Sequence, residues 1–110
     1  MIEDVFRDII SRFNEKAAAD EKLRSELAGV NRTVLIILDD GRNYNFSLSD
    51  SRASDLIVAP IENPDISIES NEETIEALYK GEMRVMKALA LKKLRIKGSF
   101  EDLLRLRKFF

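Results

Sequence analysis

The side chains that most often carry proton transfer, nucleophilic attack and transition-metal binding are missing from this sequence, which has no His and no Cys. Their loss removes the commonest general base, the commonest metal ligand, thiolate nucleophiles and disulfides together. Carboxylates, hydroxyls and cations remain. Asp39 and Asp40, with Asp50 and Asp55, offer hard oxygen ligands, but a calcium loop needs closely spaced oxygens around a fixed turn. Asp39-Asp40-Gly41 reads instead as a hairpin turn with solvated acids. Ser47, Ser49, Ser51 and Ser54 have no His partner, and a Ser-Lys pair has no recognisable spacing. Gly29, Gly41, Gly81 and Gly98 stand singly, so there is no loop to cradle phosphates. The sequence predicts no catalytic residue, no metal site and no cofactor.

The cations are concentrated. Residues 82–110 hold nine Lys/Arg against three Asp/Glu, about +6, while residues 1–81 hold nine against seventeen, about −8. Three readings compete for this basic segment. It is first a solvated strand face with cations offsetting a helix dipole. Alternatively Lys92, Lys93, Arg95 and Lys97 dock transiently on an anionic membrane or lipid headgroup. Nucleic acid ranks last, because the chain is acidic as a whole and no aromatic residue interleaves Lys92 to Lys97. No nucleic-acid partner is expected.

At 110 residues the chain has room for one domain, 1–110, with one core. Its 45% apolar and 35% charged residues with few Gly and Pro are a globular composition. The longest apolar run, Thr33 to Leu38, is far short of the roughly 20 residues that cross a bilayer, and Met1-Ile2-Glu3-Asp4 lacks a basic leader. A cytoplasmic protein is expected, neither membrane-spanning nor secreted, and the abundance of Glu, Lys, Arg and Ile leans towards a thermophilic source.

Periodicity supplies the elements that would position any site. Ile2, Val5, Phe6, Ile9, Ile10 and Phe13 form one apolar stripe of an amphipathic helix. A short helix starts at Asp20, carries Leu23 and Leu27, and ends before Gly29. Thr33 to Leu38 is a strand, Asp40-Gly41 a hairpin, and Tyr44, Phe46 and Leu48 alternate with polar residues in a second strand with one wet face. Ala53 to Ala59 reads as a third strand, Pro60 to Pro64 as a loop, and Ile66 and Ile68 as the core of a fourth. Ser70-Asn71-Glu72-Glu73 has the form of a capping box with Ser70 as cap, opening a helix that stops at Gly81. Met83, Met86 and Leu89 or Ala90 suggest a short helix, and Leu94 and Ile96 a fifth strand. Ser99 caps a last helix bearing Leu103, Leu104, Leu106, Phe109 and Phe110, more apolar side chains than one docking face requires. An α+β fold follows, a single sheet covered by helices on one side.

This order of features resembles the sterol-carrier-protein (sterol carrier protein 2) lipid-binding domain over nearly the whole chain. The matching features run from the first helix, Val5 to Phe13, through Leu27 and Gly29 before the strand Val34 to Leu38, to Asp40-Gly41 with Tyr44 and Leu48. They continue with Pro64-Asp65-Ile66-Ser67-Ile68-Glu69-Ser70, Leu78-Tyr79-Lys80-Gly81 and Leu94-Arg95-Ile96-Lys97-Gly98. The chain departs from the pattern at Leu91-Lys92, where the family often has Gly, and at Ser99, where it often has Asp.

The resemblance implies a five-stranded, mostly antiparallel sheet with a crossover, covered by about five helices mainly on one face. It also implies a hydrophobic tunnel for a fatty acid, a sterol-like or an isoprenoid lipid, with no catalytic residues. Phe6, Phe13, Met83, Met86, Leu103, Leu106 and Phe110 are the expected lining, the methionines as adaptable apolar fillers. The alternative is an interaction module with a closed core, such as a homodimer, in which Phe109-Phe110 packs on another subunit.

Overall fold

A computed structural model describes residues 2–109, Leu106 by its backbone alone. The N-terminal stripe folds as α1 (Ile2–Ala19), which runs past Phe13 to bury Ala17 as well. α2 (Glu21–Leu27) begins where the Asp20 carboxylate accepts from the backbone N–H groups of Lys22 and Leu23, and it buries Leu23 and Leu27. β1 (Arg32–Leu38) and β2 (Asn43–Ser49) form the expected hairpin, with Val34 opposite Phe46 and Ile36 opposite Tyr44. β4 (Ile66–Ser70) then lies parallel to β1, and β5 (Arg95–Lys97) pairs antiparallel with β4. With the short β3 (Arg52–Ala53) on the far edge, the order is β3-β2-β1-β4-β5, a mixed sheet with one parallel pair.

The third strand differs from the expected Ala53 to Ala59. After Ala53 the Ser54 hydroxyl, not a backbone carbonyl, accepts from the Ser47 N–H at 2.8 Å. A side chain thus occupies a ladder position and the strand breaks. Pairing resumes only as an isolated bridge between Ile57 and Asn45. The inside of this edge is closed from the helical layer: Asn14 of α1 donates to the Ala53 carbonyl at 2.9 Å and accepts from its N–H at 2.8 Å.

The cap of α3 (Glu72–Tyr79) is a second correction. Asn71, not Ser70, is the cap, accepting from the Thr74 N–H at 2.8 Å. Ser70 remains in β4, wholly buried, and donates to the Lys93 carbonyl at 2.8 Å. α4 (Val85–Ala90) has no side-chain cap bond. α5 (Phe100–Leu106) is capped by Ser99 as expected and passes into a 3₁₀ turn, Arg107–Phe109. Asp102 in its first turn is buried and bonded to Arg32 at 3.2 Å and Arg105 at 2.6 Å, which ties α5 to the start of β1.

One sheet face carries Val34, Ile36, Leu38, Tyr44, Phe46, Leu48 and Ile66 into a core shared with α1 and α3. A smaller cluster of Leu78, Ala88 and Leu94 sits beside it under α4. The opposite face is drier than the alternation of β2 suggests. Leu35 and Asn45, opposite one another in the register, are both buried, and Asn45 donates to the Ala59 carbonyl. No helix among the described residues is long and apolar enough to cross a membrane.

Candidate functional site

The inner sheet face sets a row of three isoleucines across adjacent strands. Ile36 of β1 stands in register with Ile68 of β4, which stands in register with Ile96 of β5. Phe6, Ile9 and Ile10 of α1, one turn apart on its buried stripe, approach this row from above. The two layers do not meet completely. They leave a cavity of about 50 Å³ lined by Phe6, Ile9, Ile10, Ile36, Phe46, Ile68, Ile75, Val85, Leu94, Ile96 and Phe109. Every lining side chain is apolar, so the cavity can bind through hydrocarbon contact but has no group to move a proton or hold an ion.

Its volume is several-fold below the roughly 300 Å³ at which small-molecule pockets begin. In this closed state it takes no hydrocarbon tail. Phe109 is one of two wall residues, with Ile9, that the cavity shares with a neighbouring groove. Its ring stacks on Phe13 at 4.0 Å between centroids, nearly parallel, and tilts against Phe46 at 5.5 Å. The same ring, together with Ile9, also borders a surface groove between α1 and the end of α3. That groove is lined by Phe13, Leu78 and Tyr79 and by four cations, Arg12, Lys16, Lys80 and Lys108, with no carboxylate in its wall.

The groove is organised by Tyr79. Its hydroxyl donates to the Asp8 carboxylate, the first cause of its raised pKa, and the Arg12 guanidinium lies 4.8 Å above its ring. Arg12 also pairs with Asp8 at 2.9 Å, and Lys108 lies 3.9 Å from Glu26. No ion pair involves Lys16 or Lys80 among the described residues, and α1 is pinned independently near its start. There the Tyr44 hydroxyl donates to Glu3, and burial followed by that bond pushes the phenol up to about 12.

Of the residues expected to line a tunnel, Phe6 does line the cavity. Phe13 lies in the groove and against Phe109. Met83 is half-buried against the smaller cluster, and Met86 is 59% exposed on α4. Both border a shallow surface depression that shares Val85 with the cavity. Leu103 is half-buried outside the cavity wall. The side chain of Leu106 and all of Phe110 lie outside the described residues. Phe109, which the interaction-module alternative places at a subunit contact, packs on Phe13 and Phe46 of its own chain.

Most strand and α1 residues of the wall were legible as inward-facing, though not as one surface; Val85 was not, because the apolar spacing points to Met83, Met86 and Leu89 or Ala90 as the inner face of that helix. Which strand stands beside which is decided by the β1–β4 crossover, and the sequence carries no local mark of it.

The basic segment divides. Arg95 is engaged by Asp39 at 2.8 Å and Glu69 at 3.3 Å, which fixes the hairpin end to β5. Lys92, Lys93 and Lys97 are exposed without an ion pair among the described residues. Asp39 and Asp40, the acids considered for a cation, hold Arg95 and Arg42 respectively.

The SCP-2 sterol transfer family matches residues 10–110. No curated protein matches the chain. Among solved structures, palmitated SCP2L2 from Aedes aegypti superposes with a TM-score of 0.62 at 17% identity, covering 91% of this chain and 88% of its own. The UbiJ-SCP2 ubiquinone synthesis protein gives 0.67 at 12% identity, covering 98% and 89%. The stereoselective inverting sec-alkylsulfatase Pisa1 from Pseudomonas sp. gives 0.64 at 10% identity over 79% of this chain, which spans only 14% of the sulfatase. At such identities the likeness is one of fold.

Proposed function

The chain belongs to the SCP-2 sterol transfer family, and on that footing we propose that it is a non-catalytic domain that binds and transfers a lipid, taking one hydrocarbon tail into the cavity beneath Phe109. The observation that carries this reading is the wholly apolar wall, contributed by both helices and sheet, one of whose aromatic rings also borders an open groove. A saturated tail gains about 0.8 kcal/mol per buried CH₂, on the order of 10 kcal/mol gross for a 16-carbon chain. Moving a half-buried Phe costs about 2 kcal/mol. At that gain about three buried methylenes offset the displacement.

The four cations around the groove favour a tail with an acidic head, a long-chain fatty acid before an uncharged sterol-like or isoprenoid lipid. The palmitated relative supports the same choice. A cytoplasmic setting belongs to this proposal.

Displacement titration with a fluorescent 16-carbon fatty acid tests it. Phe109→Ala should bind several-fold more tightly than the unaltered protein, and Ile96→Trp, which fills the cavity, several-fold more weakly. Equal signals from all three, or none from the unaltered protein and Phe109→Ala alike, would end the proposal.

A second reading, an interaction module with a closed core, is favoured by the small cavity volume. Phe100, 73% exposed, and Leu104 one turn later then supply the contact between copies. Light scattering separates the readings, since a monomer at high concentration removes this one.

A further inference from the structure

Helix α4 has an apolar inner arc and a partly apolar outer one. Its inner arc, Val85, Ala88 and Leu89, packs on the smaller core cluster, and Val85 also lines the apolar cavity. At about 100° per residue, positions 86, 87, 90 and 91 fill the outer arc. Two of them are large apolar side chains left in water: Met86 is 59% exposed and Leu91 is 52% exposed. Residues 82–93 contain four cations, Arg84, Lys87, Lys92 and Lys93, and one carboxylate, Glu82. All four cations are exposed, and none has an ion pair among the described residues.

The turn after the helix adds an independent observation. Lys92 adopts φ +59°, and the N–H of Lys93 bonds back to the Ala88 carbonyl, which is a left-handed helix ending that glycine adopts with less strain. A long cation is thus held in a conformation that disfavours it, beside Leu91 and at the edge of the apolar pair. Exposed apolar residues ringed by unpaired cations match the surface of an anionic bilayer, whose headgroup layer accepts apolar side chains and attracts Lys and Arg.

We propose that α4 and the turn Leu91–Lys93 dock the protein on anionic membranes, with Met86 and Leu91 entering the headgroup layer and Arg84, Lys87, Lys92 and Lys93 meeting lipid phosphates. The choice of a bilayer over a protein surface rests on the proposed lipid binding, since the docked helix would bring a cavity wall, through Val85, to the membrane. The charge pattern and the exposure do not depend on that reading.

The test is cosedimentation of the whole protein with sucrose-loaded vesicles, either pure phosphatidylcholine or an equimolar mixture with phosphatidylglycerol. Binding is expected on the mixed vesicles only, weakening as salt rises. Lys87→Gln, Lys92→Gln and Lys93→Gln should each lower the partition coefficient about fivefold, and Met86→Ser with Leu91→Ser should lower it further. Phe100→Ser with Leu104→Ser, an equally exposed apolar pair on α5, should leave it unchanged. All these positions are at the surface, so unchanged melting temperatures verify folding. No binding to mixed vesicles, or equal loss from the α4 and α5 variants, overturns the proposal. Fatty-acid titration without vesicles reads the cavity alone, so failure of either assay leaves the other interpretable.

Discussion

Phe109 and Lys92 both act through conformation more than through any bond. The Phe109 ring is held by Phe13 and Phe46 on a turn of only three residues. Truncating it should lower stability by about 2 kcal/mol, less than the 3–5 typical of a fully buried aromatic, while ligand affinity rises. A loss of both together would make the ring part of the binding surface instead of its cover. At Lys92 the sign reverses. Relief of the left-handed backbone contributes about 1 kcal/mol, and the added freedom of the unfolded chain takes part of it back. Lys92→Gly is therefore expected to stabilise by about 0.5 kcal/mol, read by urea denaturation, even as vesicle binding weakens. If the substitution destabilises, the side chain has a structural role.

Elements in this fold are fixed by side chains that stand in for backbone. Asn14 of α1 satisfies both the N–H and the carbonyl of Ala53, so a helix completes the edge strand. Asn14→Ala leaves two backbone groups short of partners near a buried site and should cost about 2 kcal/mol. The matching measurement is amide exchange at Ala53, which should speed up while exchange in β4 is unchanged. The same substitution of side chain for backbone explains where sequence reading slipped. Ser70 and Asn71 are both good cap residues at adjacent positions, and the choice fell to Asn71 because the Ser70 hydroxyl is needed by the Lys93 carbonyl across the sheet. Likewise the run from Ala53 to Ala59 has strand-like residues, and Ser54 breaks it by bonding Ser47.

Across the molecule, the acidic body and the basic C-terminal segment are joined by a few ion pairs, of which Arg32–Asp102–Arg105 is the most enclosed. Burial pushes the Asp102 carboxyl up, but hydrogen bonding by Ser99 and Arg105 and the charge of Arg32 outweigh it and hold it below 3.8. Between the folded value and 3.8 the unfolded chain binds more protons, so this contribution is complete above that window and is lost as pH falls through it. Asp102→Asn should cost about 2 kcal/mol at neutral pH, under the 3–5 of a fully buried pair because both arginines are partly open. It should also flatten the acid limb of the stability profile; a limb as steep as before would place the acid sensitivity elsewhere. The sequence alone determined the element types and their order, the apolar stripe of α1, the hairpin at Asp40-Gly41 and the absence of His and Cys side chains, because periodicity, turn residues and composition are local properties. Only the tertiary structure decided that Ile36, Ile68 and Ile96 share one row, that Phe109 turns inward, and that Arg95 is neutralised while the cations beside α4 have no ion pair among the described residues. Those outcomes depend on which strands become neighbours and which distant charges meet, and such contacts are selected by the packing of the whole chain.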